Sequence, residues 1–138
     1  MNKFVLDPEL LKNSMLIGKL RCSQVLLVDN CLVPWFILVP EVEGVSELYE
    51  LDRPTHQLLQ DDIISMSKFV KHGFDIDKLN IAAIGNIVKQ LHVHVVGRRE
   101  SDCAWPGVVW GMAQQQPYEQ AALDEIMRQF DRYQTQNG

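Results

Sequence analysis

Between Gln90 and Val96 the chain reads Gln-Leu-His-Val-His-Val-Val, polar and apolar residues alternating up to the final valine pair. A period of two is that of a β-strand with one face buried, because successive side chains leave the backbone on opposite sides. Gln90, His92 and His94 then share one side, adjacent members roughly 6.5 to 7 Å apart. Leu91, Val93 and Val95 face the core. The fold must therefore contain a sheet with one covered face.

The other elements follow from local signals. Asp7-Pro8 opens a helix expected to run to about Ile17 and to end at Gly18, with Asp capping free N–H groups and Pro suiting the first turn. Val25, Leu26, Leu27 and Val28 mark a buried strand over 23–29, the Asp29-Asn30 pair a turn, and 35–39 a second strand, which together predict a hairpin with Asp29 at its tip. Residues 46–51 read as a short strand or loop. Asp52 caps a helix with Pro54 in its first turn, Leu59, Ile63, Met66 and Val70 on one face and Gly73 at its end. Strands are predicted over 79–84 and 89–97, joined at Gly85-Asn86, and such a short connection makes them antiparallel neighbours. A last helix over 118–133 shows Ala122, Ile126, Met127 and Phe130 on a face. The order lacks the strand-helix alternation of a parallel sheet, so the class is α+β with an antiparallel sheet of about five strands and packed helices.

The 138 residues fit one domain, 1–138. The stretch from Met1 to Pro8 lacks the apolar run of a signal peptide, and the longest apolar stretch, 31–40, is far short of the roughly 20 residues that span a bilayer. The expectation is a soluble, cytoplasmic protein that does not engage membranes. Cys22, Cys31 and Cys103 are odd in number with no Cys-x-x-Cys spacing, which suggests a reducing compartment. A net charge of −5 argues against wrapping a nucleic acid polymer. A small anionic ligand is compatible with it, and the concentrated basic pair Arg98-Arg99 follows the histidines directly.

A row of three hydrogen-bonding groups at strand spacing suits a phosphate or polyphosphate. A neutral imidazole can attack phosphorus, and a second one beside it can stay protonated to balance the phosphate charge. Phosphoryl chemistry needs little beyond positioning and charge stabilisation.

The segment resembles the signature of the histidine triad (HIT) family, His-φ-His-φ-His-φ-φ with φ apolar. His92 matches the nucleophile that forms a nucleotidyl-histidine intermediate, His94 matches the last triad histidine, which contacts the phosphate, and Gln90 stands in place of the first. Glutamine cannot exchange a proton near neutral pH. A bacterial HIT subgroup is similar, with Gln-φ-His-φ-His followed by a Trp-Pro-Gly segment, here Trp105-Pro106-Gly107. The resemblance covers about residues 23–111. It implies ribose binding by Asp29 or Asn30, phosphate binding by Asn86, and a hydrolase acting at the α-phosphate of dinucleoside polyphosphates or nucleoside phosphoramidates. It further implies no cofactor, no obligatory metal in the chemical step, and a homodimer with a shared sheet. Arg98 is expected to help bind the substrate.

Each assignment has a plainer counterpart. Asp29-Asn30 and Gly85-Asn86 are ordinary turn pairs. Trp105 and Trp110 serve a core or a dimer interface as readily as a base-stacking surface, and His56 and His72 have no partner pattern. His-x-His on a strand could hold a metal with Asp102 or Cys103 as further ligands. The substitution at Gln90 also leaves open a nucleotidyl transferase or a non-catalytic nucleotide-binding module.

Overall fold

The computed structural model describes residues 4–137; Met1–Lys3, part of the stretch read above as lacking a signal peptide, lie outside the described residues. The elements are β1 (Ser14–Lys19), β2 (Ser23–Val28), β3 (Trp35–Pro40), α1 (Arg53–Gly73), β4 (Lys78–Ala82), β5 (Val93–Arg98) and α2 (Gln120–Asn137). They form one antiparallel sheet in the order β1-β2-β3-β5-β4 with two helices, an α+β fold.

The first expectation that fails is the N-terminal helix. Asp7 does cap, its side chain accepting from the Glu9 N–H, but only a single 3-10 turn forms over Pro8–Leu11. The chain then becomes β1, which pairs with β2 from Ser14 opposite Val28 to Lys19 opposite Gln24. Pairing with an adjacent strand outweighs a helix start that one capping bond favours. Gly18 sits at a register irregularity rather than at a helix end, and a Cβ there would lie 2.9 Å from the Phe130 ring.

α1 matches the sequence reading. Asp52 accepts from the Thr55 N–H at 2.8 Å, Pro54 lies in the first turn, and Leu59, Met66 and Val70 are buried with Phe69. Its Asp62, fully buried, accepts the backbone N–H groups of Arg21 and Cys22 at 2.9 and 3.0 Å and so pins the β1–β2 turn to the helix. Residues 46–51 contain a 3-10 turn over Leu48–Glu50 instead of a strand. The core-facing side of α2 is Leu123, Ile126 and Phe130. Ala122 and Met127, expected on it, are exposed.

The main core lies between the helices and one face of the sheet, where Val25, Leu27, Phe36, Leu38 and Val95 meet Met66, Phe69, Val70, Ile126 and Phe130. The opposite face carries Leu26, Ile37 and Val39 under the N-terminal segment, which contributes Phe4, Leu6 and Leu10. Because side chains alternate, His94 and Arg98 share this second face. Gly97 points inward at a tight approach, where a Cβ would fall 2.8 Å from Ile76 and Pro34 and 2.9 Å from Val70. Gly97→Ala is therefore expected to destabilise the fold by about 1–3 kcal/mol through overpacking, read as a lower denaturation midpoint at unchanged slope.

Candidate active site on strand five

The predicted strand over 89–97 begins in fact at Val93, and the connection from β4 occupies residues 83–92. His92 thus ends a loop and His94 lies within a paired strand, opposite Ile37 on β3 and Ala82 on β4. Both rings are almost buried, at 6% and 7% exposure, with centroids 5.1 Å apart.

Their hydrogen bonds fix opposite tautomers. His92 Nδ1 lies 2.7 Å from the Gln90 backbone carbonyl. A carbonyl only accepts, so Nδ1 carries a proton, and in the neutral ring Nε2 is the nitrogen that keeps a lone pair. His94 Nδ1 lies 2.9 Å from Trp35 Nε1, and an indole N–H only donates. There Nδ1 holds the lone pair and Nε2 the proton. Burial, followed by the neighbouring His92, lowers the His94 pKa to about 4, and the Trp35 bond to the neutral form works in the same direction. His94 is therefore neutral near pH 7, a directed N–H donor in place of the protonated imidazole expected from the sequence. Trp35 and Trp110 box the ring, with centroids 5.9 and 5.3 Å from it.

Gln90 does not continue the row into the site. Its Nε2 donates to the Val5 carbonyl at 2.9 Å and its Oε1 accepts from the Asp7 N–H at 2.8 Å, so the side-chain amide is engaged by the N-terminal segment. Arg98 is likewise spent. It is 1% exposed, donates from Nε and Nη2 to both Asp102 oxygens at 2.9 Å and from Nη1 to Asn80 at 2.8 Å, and lies over the Trp105 ring. The Arg98 bond holds the Asp102 carboxyl down at about 2. Burying a cation demands such a paired, fully bonded arrangement, which takes Arg98 from the ligand and Asp102 from the metal role considered for it. Among the described residues no group of three or more His, Cys, Asp or Glu side chains is placed to hold a metal ion.

Asp29 accepts the Tyr118 N–H, and Asn30, buried, accepts from Leu32 and Gln116 and donates to the Gln114 carbonyl. Both fasten the segment leading to α2. Since Leu27 stands opposite Phe36 and Phe36 opposite Val95, the register puts Asp29 toward the Arg98 end of the sheet, away from His92. Asn86 is exposed in the connection that leads into His92, one residue after Gly85, whose positive φ of 64° makes the bend. A cleft of about 330 Å³ opens beside His92 between that connection and residues 46–49. The residue that sequence reasoning missed is Trp35. Nothing near it in the chain marks it, and only the pairing of β3 with β5 brings it to His94.

The HIT domain family model matches residues 10–101. The chain belongs to the histidine triad family. It is 36% identical to a histidine triad protein from Marinobacter aquaeolei, with 98% of each chain covered and a TM-score of 0.92. Against a histidine triad protein from Sinorhizobium meliloti the identity is 34%, with 96% of this chain and 98% of that one covered and a TM-score of 0.92. A hypothetical histidine triad nucleotide-binding protein from Sulfolobus tokodaii, 16% identical over 87% of this chain and 83% of that one at a TM-score of 0.64, shares the fold. No curated protein matches the sequence. HIT proteins are generally nucleotide hydrolases or transferases.

The His94 geometry has a pH signature. Its folded pKa lies below the ordinary 6.5, so the stability that it contributes is complete above about pH 6.5 and is lost as the pH falls toward about 4. In nitrogen-15 NMR, His94 is expected to show a protonated Nε2 and to titrate near 4, and Trp35→Phe to raise that midpoint. A wild-type His94 that titrates near 6.5 would contradict the assignment.

Proposed function

We propose that this HIT protein is a nucleotide hydrolase in which His92 is the nucleophile. The observation that carries the reading is the pair of opposite tautomers, His92 with a lone pair on Nε2 and His94 with a proton on Nε2. His92 Nε2 attacks the α-phosphorus and forms an N–P bond while the P–O or P–N bond to the leaving group breaks. The leaving group keeps the electron pair and takes a proton from solvent. Water then attacks the same phosphorus, the N–P bond breaks, and a nucleoside monophosphate departs as Nε2 regains its lone pair. Two easier displacements replace one hard one.

His94 donates to a non-bridging phosphate oxygen, a preorganised dipole aimed at developing charge. Gln90 contributes through its backbone carbonyl, which orients His92. Asn86, on the connection into His92, is assigned to the phosphate. Arg98, with its guanidinium bonded to Asp102 and Asn80, receives no direct contact with substrate, whereas Asp29, with one carboxylate oxygen on the Tyr118 N–H, and Asn30 are kept as the candidates for the ribose. The substrate class is a dinucleoside polyphosphate or a nucleoside phosphoramidate.

A homodimer is part of the proposal. β4 is an edge strand whose Ile81 is exposed, with Ile84 and Ile87 exposed just beyond it, and an unpaired apolar edge favours pairing with a second copy. The three free cysteines fit a reducing, cytoplasmic setting.

Chromatography of products from a panel of diadenosine polyphosphates and adenosine phosphoramidates is expected to show nucleoside monophosphate with wild type. With His92→Ala, release is expected to fall by a factor of about 10³ or more, the scale of losing a covalent nucleophile. No turnover of any panel member by wild type would remove the hydrolase reading for these substrates and favour a transferase or a binding module. Light scattering is expected to read twice the 15.8 kDa chain mass, and a monomeric mass would remove the dimer.

A further inference from the structure

Arg98 stands four residues beyond His94 on the same face of β5, paired in the interior with Asp102. Apolar residues can often replace a buried ion pair without loss of stability, so stability alone is a weak reason for this one. The other bonds of Asp102 are the informative part. Its Oδ2 accepts from Arg98 Nε and the Arg99 N–H, and its Oδ1 from Arg98 Nη2 and from the Ala104 and Trp105 N–H groups at 3.1 and 2.9 Å. Arg98, itself tied to Asn80 on β4, thus holds a carboxylate that gathers the backbone of the turn after β5.

That turn carries Trp110. The Gly107 N–H donates to the Ala104 carbonyl at 2.8 Å, and the buried Val109 plugs the chain against Val33 and Val96. Trp110, next to it, meets the His94 ring in a T-shaped contact, with centroids 5.3 Å apart and planes at 83°. Its own Nε1 is buried and has no hydrogen-bond partner. No polar bond from Nε1 therefore fixes this indole, whereas Trp35 is fixed by its bond to His94. Where Trp110 sits follows from the anchors of the turn.

We propose that Asp102 is a positioning residue that, locked by Arg98, fastens the turn 99–112 so that Trp110 closes over His94 and keeps water from its ring. In the hydrolase reading above, on which the catalytic consequence rests, the closed indole leaves His94 one N–H, from Nε2, aimed in one direction. An imidazole open to water tilts more freely and protonates more readily.

The test is the double variant Arg98→Met/Asp102→Leu, which removes both charges together, strands neither and leaves the net charge unchanged. Beside it, Arg98→Met/Asp102→Asn keeps a side-chain oxygen able to accept from the Ala104 and Trp105 N–H groups. In nitrogen-15 NMR the His94 midpoint is expected to rise by about one pH unit or more in the first variant and to stay within about half a unit of wild type in the second. Slow exchange of the buried Val95 amide on β5 checks that the fold holds in both. On a diadenosine polyphosphate, kcat of the first variant is expected to fall about tenfold with KM within about twofold of wild type. A His94 midpoint that does not move in the first variant overturns the proposal. An equal rise in both overturns it too, since the effect would then come from the lost ion pair and not from the turn that Asp102 caps. Trp110→Leu reads the far end of the same contacts and decides the case if the first variant does not fold: a similar rise is expected, and an unchanged midpoint overturns the proposal. Absence of turnover by wild type would instead count against the hydrolase reading, and the His94 midpoint would still decide the role of Asp102.

Discussion

The pairing of β3 with β5 is the contact on which the rest of the molecule depends. These strands are far apart in sequence, and their alignment joins the β1–β3 meander to the β4–β5 pair in a single sheet. The register that sets Trp35 opposite Val96 and Ile37 opposite His94 also brings the indole N–H onto the imidazole. A slip of one residue would turn every side chain of β5 to the other face, moving His94 into the helix-side core and Val95 out of it. The inward run Val93, Val95 and Gly97 under α1 prevents that slip, so ordinary core packing holds the chemistry in place.

Much of this was legible in the chain. The β2–β3 hairpin, α1 with its Asp52 cap, the antiparallel β4–β5 pair and the α+β class all follow from patterns confined to one segment or two neighbouring ones. The Asp7-Pro8 pair is a local helix signal, whereas β1 exists by virtue of its pairing with β2, which no local pattern shows. The face of α2 is hidden for a related reason: Ala122 and Met127 fit an apolar stripe, but the helix is oriented by Phe130 against Phe69.

The site was legible in its residues and not in their charges. His92 and His94 stand side by side as the alternation requires. Their protonation could not be read, since it depends on a carbonyl two residues back for one and on an indole 59 residues away for the other. Arg98 looked available because a basic pair in a sequence shows no partner, yet Asp102, Asn80 and Trp105 close around it. Asp29 and Asn30 stand at the tip of the hairpin, where one oxygen of each accepts from the segment before α2.

The neutralised Arg98 bears on how an anion reaches this protein. With that guanidinium cancelled by Asp102 and His94 uncharged, the strand offers aimed dipoles, while the chain as a whole carries −5. Dipoles act over a few ångströms and net charge over a Debye length. The polyphosphate substrate proposed above would therefore meet overall repulsion on approach and attraction only on arrival. Added salt screens the first and leaves the second nearly intact, so the encounter should quicken as ionic strength rises, the reverse of the trend for a protein that captures nucleic acid.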